Sequence, residues 1–230
     1  MLNGIAGEPE GLRRVSLAVL PIGTVNVFAR ELRIPLKVRA AWELIQAGSE
    51  QAIDLPWIEF HTREGPRRRC FAQLAGAGFD ARAIELVSWE LKQRIGSLAY
   101  AVASLKAWRR MSPALSVNRG RERLAGDFVI IGNGRFYAGS IPICPRASNA
   151  DGLLDVCLFP RTTLRSIARH VCACLVPSLA RWSPAVQFQT SRVEIAGEAG
   201  IPLELDGELA GGIPACCSIA PQALRVIGPA

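Results

Sequence analysis

The chain has 230 residues, half of them hydrophobic, so it can form one large or two small domains with a sizeable core. Its apolar runs are too short to span a bilayer and no secretory signal follows Met1, so a cytoplasmic location is expected. The seven cysteines include no CxxC pair and there are only two histidines, which argues against a zinc site and favours small buried thiols.

The formal net charge is +7, and it fits an anionic membrane surface, a phosphorylated substrate, nucleic acid or a solvated surface rich in arginine. The basic clusters at Arg67–Arg69 and Arg109–Arg110 lack the interleaved aromatic residues typical of RNA-binding proteins. We therefore rank nucleic acid last and expect no nucleic-acid partner.

The first predicted elements surround a glycine-bearing turn. Leu17 to Leu20 has strand character, a turn with Gly23, Thr24 and Asn26 follows, and a helix ends at Pro35. Backbone N–H groups at a helix start favour anions, so this segment predicts a phosphate site. Gly23 would admit the phosphate, Thr24 would donate a hydrogen bond, and Asn26 would fix the turn or the ligand. Units of this composition are also common as purely structural elements.

The next segments show a change of periodicity. Met1 to Gly7 resembles the end of a glycine-capped helix, and Val38 to Ala47 is an amphipathic helix ending at Gly48. Period-two alternation begins near Ser49, which is the candidate domain boundary. Strands are expected at Ala52 to Phe60 and Cys70 to Ala75, on either side of the polar turn REGPRRR.

The second half of the chain is predicted to be mostly strands. Ala83 to Trp108 is the longest helical region, in which Lys92 and Arg94 either reach phosphates or form an exposed helix face. A second helix is expected at Thr163 to Leu175, with Arg165 and Arg169 on its polar side. The expected strands are 115–118, 128–132, 154–159, 186–189, 192–195, 203–205, 215–219 and 224–227. Short strands joined by Gly/Pro turns predict an α+β protein with a β-sandwich.

Two acidic clusters are candidates for chemistry. Asp151 and Asp155 flank a turn whose carbonyl oxygens could complete a Mg²⁺ site, although the pattern alone favours an ordinary Asp-Gly turn. Asp206 and Glu208 surround Gly207 at a strand end and could supply a general base, or be solvated acids of a hairpin. Glu204 is expected on the same strand face as Asp206.

Taken together, four segments resemble the diacylglycerol kinase catalytic family, which includes bacterial lipid kinases and sphingosine and ceramide kinases. LPIGTVNVFARELRIP resembles its LPxGTxNxFAR segment. GAGFDA followed by LKQRIGSLAY resembles its GxGFDA…K-R-x-G-x-x-AY region. NGRFYAGSIPICPRASNADGLLDV and the terminal LELDGE with PQALRVIGP follow in the family's order. The resemblance covers nearly the whole chain.

This resemblance implies a three-layer α/β nucleotide domain followed by an antiparallel β-sandwich, with the active site between them. On this basis residues 1–48 are the remaining C-terminal part of the nucleotide domain, 49–222 the sandwich, and 223–230 a closing strand and tail. The family's GGDGT phosphate loop, expected just upstream of NGIAG, is missing from this sequence. The chain is therefore expected to be an N-terminally truncated member.

The resemblance also assigns roles to individual residues. It implies transfer of the ATP γ-phosphate to a lipid hydroxyl, of diacylglycerol or sphingoid type, with Mg²⁺ as a cofactor. Glu208 matches the general base and Asp206 its acidic neighbour. The residues implied to bind the nucleotide are Gly23, Thr24, Asn26, Lys92 and Arg94. Those implied to bind Mg²⁺ are Asp151 and the carbonyl groups of Ser148 and Leu153.

Two functional hypotheses follow. The first is an ATP-dependent lipid kinase, impaired as written by loss of the phosphate loop, acting on a lipid substrate at a peripheral membrane surface on the inner face. The second is a non-catalytic lipid-binding or regulatory remnant of that family. A homodimer is an open expectation, and no short motif names the acceptor lipid.

Overall fold

A computed structural model describes residues 1–78, 115–176, 179, 182–198 and 200–229. Within them the helices are α1 (Leu2–Gly7), α2 (Gly11–Arg14), α3 (Val27–Glu31), α4 (Val38–Ala47) and α5 (Leu164–Leu175). The strands are β1 (Glu50–Thr62), β2 (Gly65–Cys70), β3 (Leu74–Gly78), β4 (Leu115–Arg119), β5 (Glu122–Gly126), β6 (Phe128–Gly132), β7 (Leu154–Phe159), β8 (Val186–Thr190), β9 (Arg192–Gly197), β10 (Pro202–Leu205) and β11 (Glu208–Ile227).

In the described part of the chain the named strands form one antiparallel sheet. The pairing order is β5-β4-β9-β11-β10-β3-β6-β7-β8, and β1 pairs with both β11 and β2. The 20-residue strand β11 runs beside β1 from Glu50↔Ile227 to His61↔Gly212. The pairing shifts register between Ile53 and Leu55, which leaves Asp54 outside the ladder.

The main hydrophobic core lies inside the folded sheet. Strands far apart in the pairing order, such as β4 and β7, contribute side chains to one buried cluster, including Val117 and Leu158. The sheet must therefore fold back on itself and enclose this cluster, as in a β-sandwich. The prediction of an α+β protein with an antiparallel sandwich is confirmed.

Two further clusters attach the helices to the outside of the sheet. Residues of β6 and β7 that alternate with the core positions, such as Ile130 and Cys157, pack against α5 and the loop before β7. At the other end, the N-terminal helices pack on β1 and the end of β11 through Leu32, Ala41 and Val226. The N-terminal segment is thus fixed to the sheet by buried apolar surface.

Several predicted elements are confirmed and others are wrong. The helix Val38–Ala47, capped by Gly48 with φ of 73°, and the strands β6 and β7 have the predicted bounds. No strand forms at 17–20, where only Leu17 bridges to Val226. The predicted polar turn REGPRRR is mostly strand β2, and the strands expected at 215–219 and 224–227 are one strand, β11.

His170 fixes α5 to the sheet from a fully buried position. Its Nε2 lies 3.0 Å from the Ile143 carbonyl oxygen, which can only accept, and its Nδ1 lies 2.7 Å from the Ser183 hydroxyl. Nε2 therefore carries a proton and donates to Ile143, and in the neutral ring the hydroxyl donates to Nδ1. Burial lowers the pKa of His170, against a smaller opposing effect of the Ile143 carbonyl.

We expect His170 to destabilise the fold in acid. The pKa of His170 is lower in the folded than in the unfolded chain, so the neutral ring contributes to the free energy of unfolding. This contribution is complete above about pH 6.5 and is lost as the pH falls toward the folded pKa. The slope is at most about 1.4 kcal/mol per pH unit. Urea unfolding from pH 7.5 to 5 should show a steeper loss for the wild type than for His170→Gln, and equal slopes would contradict this assignment.

Candidate active site

The predicted catalytic acids lie on the hairpin between β10 and β11. β10 ends at Leu205, and Asp206 and Gly207 form a two-residue turn with φ of 49° and 87°. This is the conformation that an Asp-Gly hairpin turn adopts. Glu208, the first residue of β11, is exposed beside the turn.

Asp206 ties this turn to the segment between β2 and β3. Its Oδ2 accepts the Ala72 N–H at 2.8 Å, and its Oδ1 accepts the N–H groups of Gln73 and Leu74 at 2.8 and 3.1 Å. The Asp206 N–H donates to the Leu74 carbonyl at 2.9 Å. Although the turn residue itself is exposed, its carboxyl group is enclosed by these backbone groups, and burial raises its pKa. The three N–H donors oppose this shift and the charge of Glu208 adds to it.

Glu204 does not lie beside Asp206 as expected from period-two spacing. The strand ends at Leu205, so Asp206 leaves the pleat and the alternation stops. Glu204 is fully buried, and its Oε2 accepts the Gly207 N–H at 2.8 Å. It therefore closes the hairpin from within, while Glu208 faces solvent.

Gln73 joins this hairpin to the N-terminal segment. Its backbone N–H is held by Asp206, and its side-chain Nε2 donates to Glu31 and to the Phe136 carbonyl, both at 3.1 Å. Glu31, the last residue of α3, also accepts the Arg135 N–H at 2.7 Å and the Phe136 N–H at 3.2 Å. We call Asp206, Gln73, Glu31 and Arg135 the joint.

Arg135 completes the joint as an ion pair. Its Nε lies 3.0 Å from Glu31 Oε1, and the Glu31 side chain is only 5% exposed. A side chain at Gly134 would meet the Gln73 amide at 2.6 Å and Glu31 Cγ at 2.8 Å, so this approach requires glycine. The sequence analysis missed Glu31, Gln73 and Arg135, because single polar residues in FARE, FAQ and NGRF have no spacing that marks them.

In the predicted cation loop the carboxylates of Asp151 and Asp155 are held by hydrogen bonds, and their role as cation ligands stays a prediction. Asp151 Oδ1 accepts the Leu153 N–H at 3.0 Å, and the Gln189 amide donates to Asp151 Oδ2 at 3.3 Å and to Asp155 Oδ2 at 3.1 Å. Burial raises the pKa of Asp155; the Gln189 bond opposes this and the Asp151 charge adds to it. Ser148 Oγ accepts the Ala150 N–H at 3.4 Å, within the same loop.

Asp54, also missed, anchors the cation loop to β1. Its Oδ2 accepts the Gly152 N–H at 2.6 Å, its Oδ1 accepts the Gln222 N–H at 2.8 Å, and it is 1% exposed. A carboxylate between buried Ile53 and Leu55 in a strand was the available signal. Among the described residues no group of three or more His, Cys, Asp or Glu could hold a metal. A cation in this loop would therefore rely on backbone carbonyls and water besides Asp151 and Asp155.

The glycine-bearing turn differs from the predicted strand-turn-helix unit. No strand precedes it and α3 has only five residues, so little helix dipole is available. Asn26 fixes the turn itself: its Oδ1 accepts the Gly23 N–H at 2.9 Å, and its Nδ2 donates to the Gly23 and Pro21 carbonyls at 2.7 and 3.2 Å. Gly23 and Thr24 are exposed and accessible to a ligand. Their nucleotide-binding role, like that of Asn26, stays a prediction.

Two predicted nucleotide-binding residues, Lys92 and Arg94, lie outside the described residues, as does the predicted helix at 83–108. An open cavity of about 630 Å³ lies between α1 and the β1–β2 hairpin. Trp57 and four arginines are among its lining residues, and it reaches Ala210, two residues beyond Glu208. The arginines are Arg63, Arg67, Arg68 and Arg69.

Comparison with known proteins identifies the family. Residues 73–228 match the YegS C-terminal NAD kinase beta sandwich-like domain, and residues 1–58 match the diacylglycerol kinase catalytic domain. The chain therefore belongs to the family of YegS-like lipid kinases and diacylglycerol kinases. The resemblance noted from its motifs is confirmed.

Individual relatives support this assignment. A protein described as a probable lipid kinase YegS-like from Stenotrophomonas maltophilia is 34% identical over 84% of this chain, and the match spans 62% of that protein. A Pseudomonas aeruginosa protein of the same description is 31% identical over 96% of the chain and 70% of that protein. A diacylglycerol kinase of Mycobacterium tuberculosis is 30% identical over 94% of the chain and 70% of that protein.

The fold also matches a solved structure. A diacylglycerol kinase from Bacillus anthracis superposes with a TM-score of 0.72 at 19% identity, over 96% of this chain and 72% of that chain. At this identity the match concerns the fold alone. No helix among the described residues is long and apolar enough to cross a membrane.

Proposed function

We propose that this chain carries the acceptor side of an ATP-dependent lipid kinase, which transfers the γ-phosphate to a lipid hydroxyl of diacylglycerol or sphingoid type. The observation that carries the proposal is the position of Glu208. It is an exposed carboxylate on a hairpin that Asp206 holds by three backbone hydrogen bonds, in a chain of the lipid kinase family.

The proposed chemistry needs few protein groups. The hydroxyl oxygen of the lipid attacks the γ-phosphorus, its proton passes to Glu208, and the bond to the β–γ bridging oxygen breaks to release ADP. Phosphoryl transfer depends on positioning and charge neutralisation more than on covalent help. Asp206 would position Glu208, and Thr24 with its turn would face the nucleotide.

A divalent cation would be held by Asp151, with the carbonyl oxygens of Ser148 and Leu153. The oxygen ligands suit Mg²⁺, which would fix the loop that Asp54 anchors. Arginines around the 630 Å³ cavity would attract the phosphates of an anionic substrate. A cytoplasmic location, a lipid substrate and a homodimer stay predictions.

Magnesium should stabilise the fold through this loop. A cation that binds only the folded chain at a hundred times its dissociation constant contributes about 2.7 kcal/mol, or several degrees in Tm. We expect this shift for the wild type and its loss in Asp151→Asn, measured by thermal unfolding with and without MgCl₂. Glu43→Gln, which removes an exposed acid of α4, should keep the shift, and an equal shift in all three proteins would exclude the loop as the site.

The proposed function is tested with radiolabelled ATP and vesicles of mixed lipids. This chain is compared with the same chain extended by the codons upstream of Met1, because the phosphate loop GGDGT is absent from its sequence. Transfer by the extended chain and little by this one would support an impaired lipid kinase. Lipid binding without transfer by either would favour a non-catalytic lipid-binding module.

A further inference from the structure

The end of α5 carries an apolar surface that the proposed chemistry does not use. Four large hydrophobic side chains are exposed there, by 38% to 59%, although they lie within eight residues of sequence. We call them the α5 patch: Leu175, Val176, Leu179 and Trp182. A group of this size on one surface is typical of an interaction site.

Hydrogen bonds hold the two parts of the α5 patch together. The Leu179 N–H donates to the Val176 carbonyl at 2.8 Å, which holds Leu179 beside the end of the helix. Arg169 Nη2 donates to the Trp182 carbonyl at 3.1 Å, which holds Trp182 beside the middle of α5. The neighbouring Ser183 is bound to the buried His170, so Trp182 and Ser183 are both fixed to the helix.

The sequence segment that contains the α5 patch carries charge of one sign. Between residues 156 and 193 the sequence contains five arginines and no aspartate or glutamate. Arg161, Arg165 and Arg169 are exposed, and by helical spacing Arg165 and Arg169 lie on the same side of α5 as Val176, the residue that ends it. Basic side chains thus lead along this side of α5 to its exposed apolar end, a combination that suits an anionic membrane surface.

We propose that the α5 patch docks on an anionic lipid bilayer, with Leu175 and Trp182 entering the interface and the arginines contacting lipid phosphates. The proposal deepens the proposed function and rests on it for the choice of a bilayer, from which a lipid kinase must take its acceptor. Tryptophan favours the membrane interface, and basic side chains near it bind anionic lipids. With 12 residues, α5 lies on the bilayer and does not cross it.

The α5 patch is connected to the candidate active site through one loop. Arg135, at the start of this loop, contacts Glu31 in the joint, and Ile143, near its end, accepts the hydrogen bond from His170 of α5. The proposed docking surface and the candidate site are thus linked by two hydrogen bonds of this loop.

Vesicle flotation without nucleotide tests the docking surface separately from catalysis. The wild type should float with phosphatidylcholine vesicles containing phosphatidylglycerol and much less with phosphatidylcholine alone. Leu175→Gln with Trp182→Ala should weaken binding at least about tenfold, since two interfacial apolar side chains are lost. The pair Arg161→Gln and Arg165→Gln should weaken it by about fivefold per arginine, and only at low salt.

Matched controls keep exposure and charge equal. Trp42→Ala removes a tryptophan that is 52% exposed on α4, and Arg39→Gln with Arg121→Gln removes two exposed charges elsewhere; both should float as the wild type does. Thermal unfolding shows whether each variant is folded.

Wild-type flotation of the patch variants would overturn the proposal. A second result would also overturn it: the wild type sediments as a dimer, and the patch variants sediment as monomers but float as the wild type does. The patch would then bind a second copy of the chain. Failure of phosphate transfer with patch-dependent flotation would contradict only the proposed function.

Discussion

Glu31→Ala is expected to lower the free energy of unfolding by about 3 kcal/mol. Glu31 is nearly buried and accepts hydrogen bonds from the Gln73 amide, two backbone N–H groups and Arg135. Alanine would leave these donors unpaired and the Arg135 charge partly enclosed. Removing one partner of a buried pair costs far more than the net value of the pair.

Urea unfolding measures this effect, with Glu43→Ala as the control. Glu43 forms an exposed i,i+4 pair with Arg39 at 3.1 Å, and its loss should cost no more than about 1 kcal/mol. If Glu31→Ala lowers the free energy of unfolding as little as Glu43→Ala does, the joint does not hold α3 on the sheet. We also expect the variant to transfer phosphate more slowly in any chain that is active, because α3 follows the turn that contains Thr24.

Asp206→Asn is expected to affect both stability and turnover. The carboxylate accepts three backbone N–H groups through two oxygens, whereas asparagine offers one oxygen and turns an NH₂ group toward an N–H donor. One buried N–H would lose its acceptor, at a cost of about 2 kcal/mol. The hairpin would then move, and a displacement of about 1 Å at the base can reduce the rate about a hundredfold.

The test separates positioning from simple destabilisation. In Asp206→Asn, kcat for lipid phosphorylation should fall while KM for ATP changes little, at a temperature where unfolding curves show the variant to be folded. Glu122→Gln, at the start of β5, removes an exposed acid from another hairpin and should leave kcat unchanged. A normal kcat in Asp206→Asn would show that these hydrogen bonds do not position Glu208.

Elements with a clear hydrophobic pattern, either a period or a continuous run, could be predicted from sequence, because burial determines that pattern. α4 has its apolar residues on one face and a glycine cap, and β6 is buried throughout its length. β2 was missed because GPRRRC is an edge strand in the described part of the chain, exposed from Pro66 to Arg69. Edge strands rich in arginine show no alternation, although their charge is a common protection of an exposed edge.

The candidate site could be predicted only where a motif marks it. DGE and DGLLD directed attention to Asp206, Glu208 and Asp151, whose roles in a site stay predictions. The joint and Asp54 could not be found this way, because their partners are distant in sequence: Glu31 and Arg135 are 104 residues apart. Such pairs depend on the fold that brings α3 against the loop after β6, and no local pattern encodes them.

The central claim is that Glu208 accepts the proton of the lipid hydroxyl, and Glu208→Gln tests it most directly. Labelled ATP and mixed-lipid vesicles are incubated with the active form of the chain, with Glu208→Gln, and with Glu194→Gln, which removes an exposed acid of β9. The account predicts that Glu208→Gln lowers transfer to the lipid phase by about 10²- to 10⁴-fold, with unchanged Tm and vesicle binding, while Glu194→Gln retains the wild-type rate. Equal rates of lipid labelling in all three proteins would contradict it.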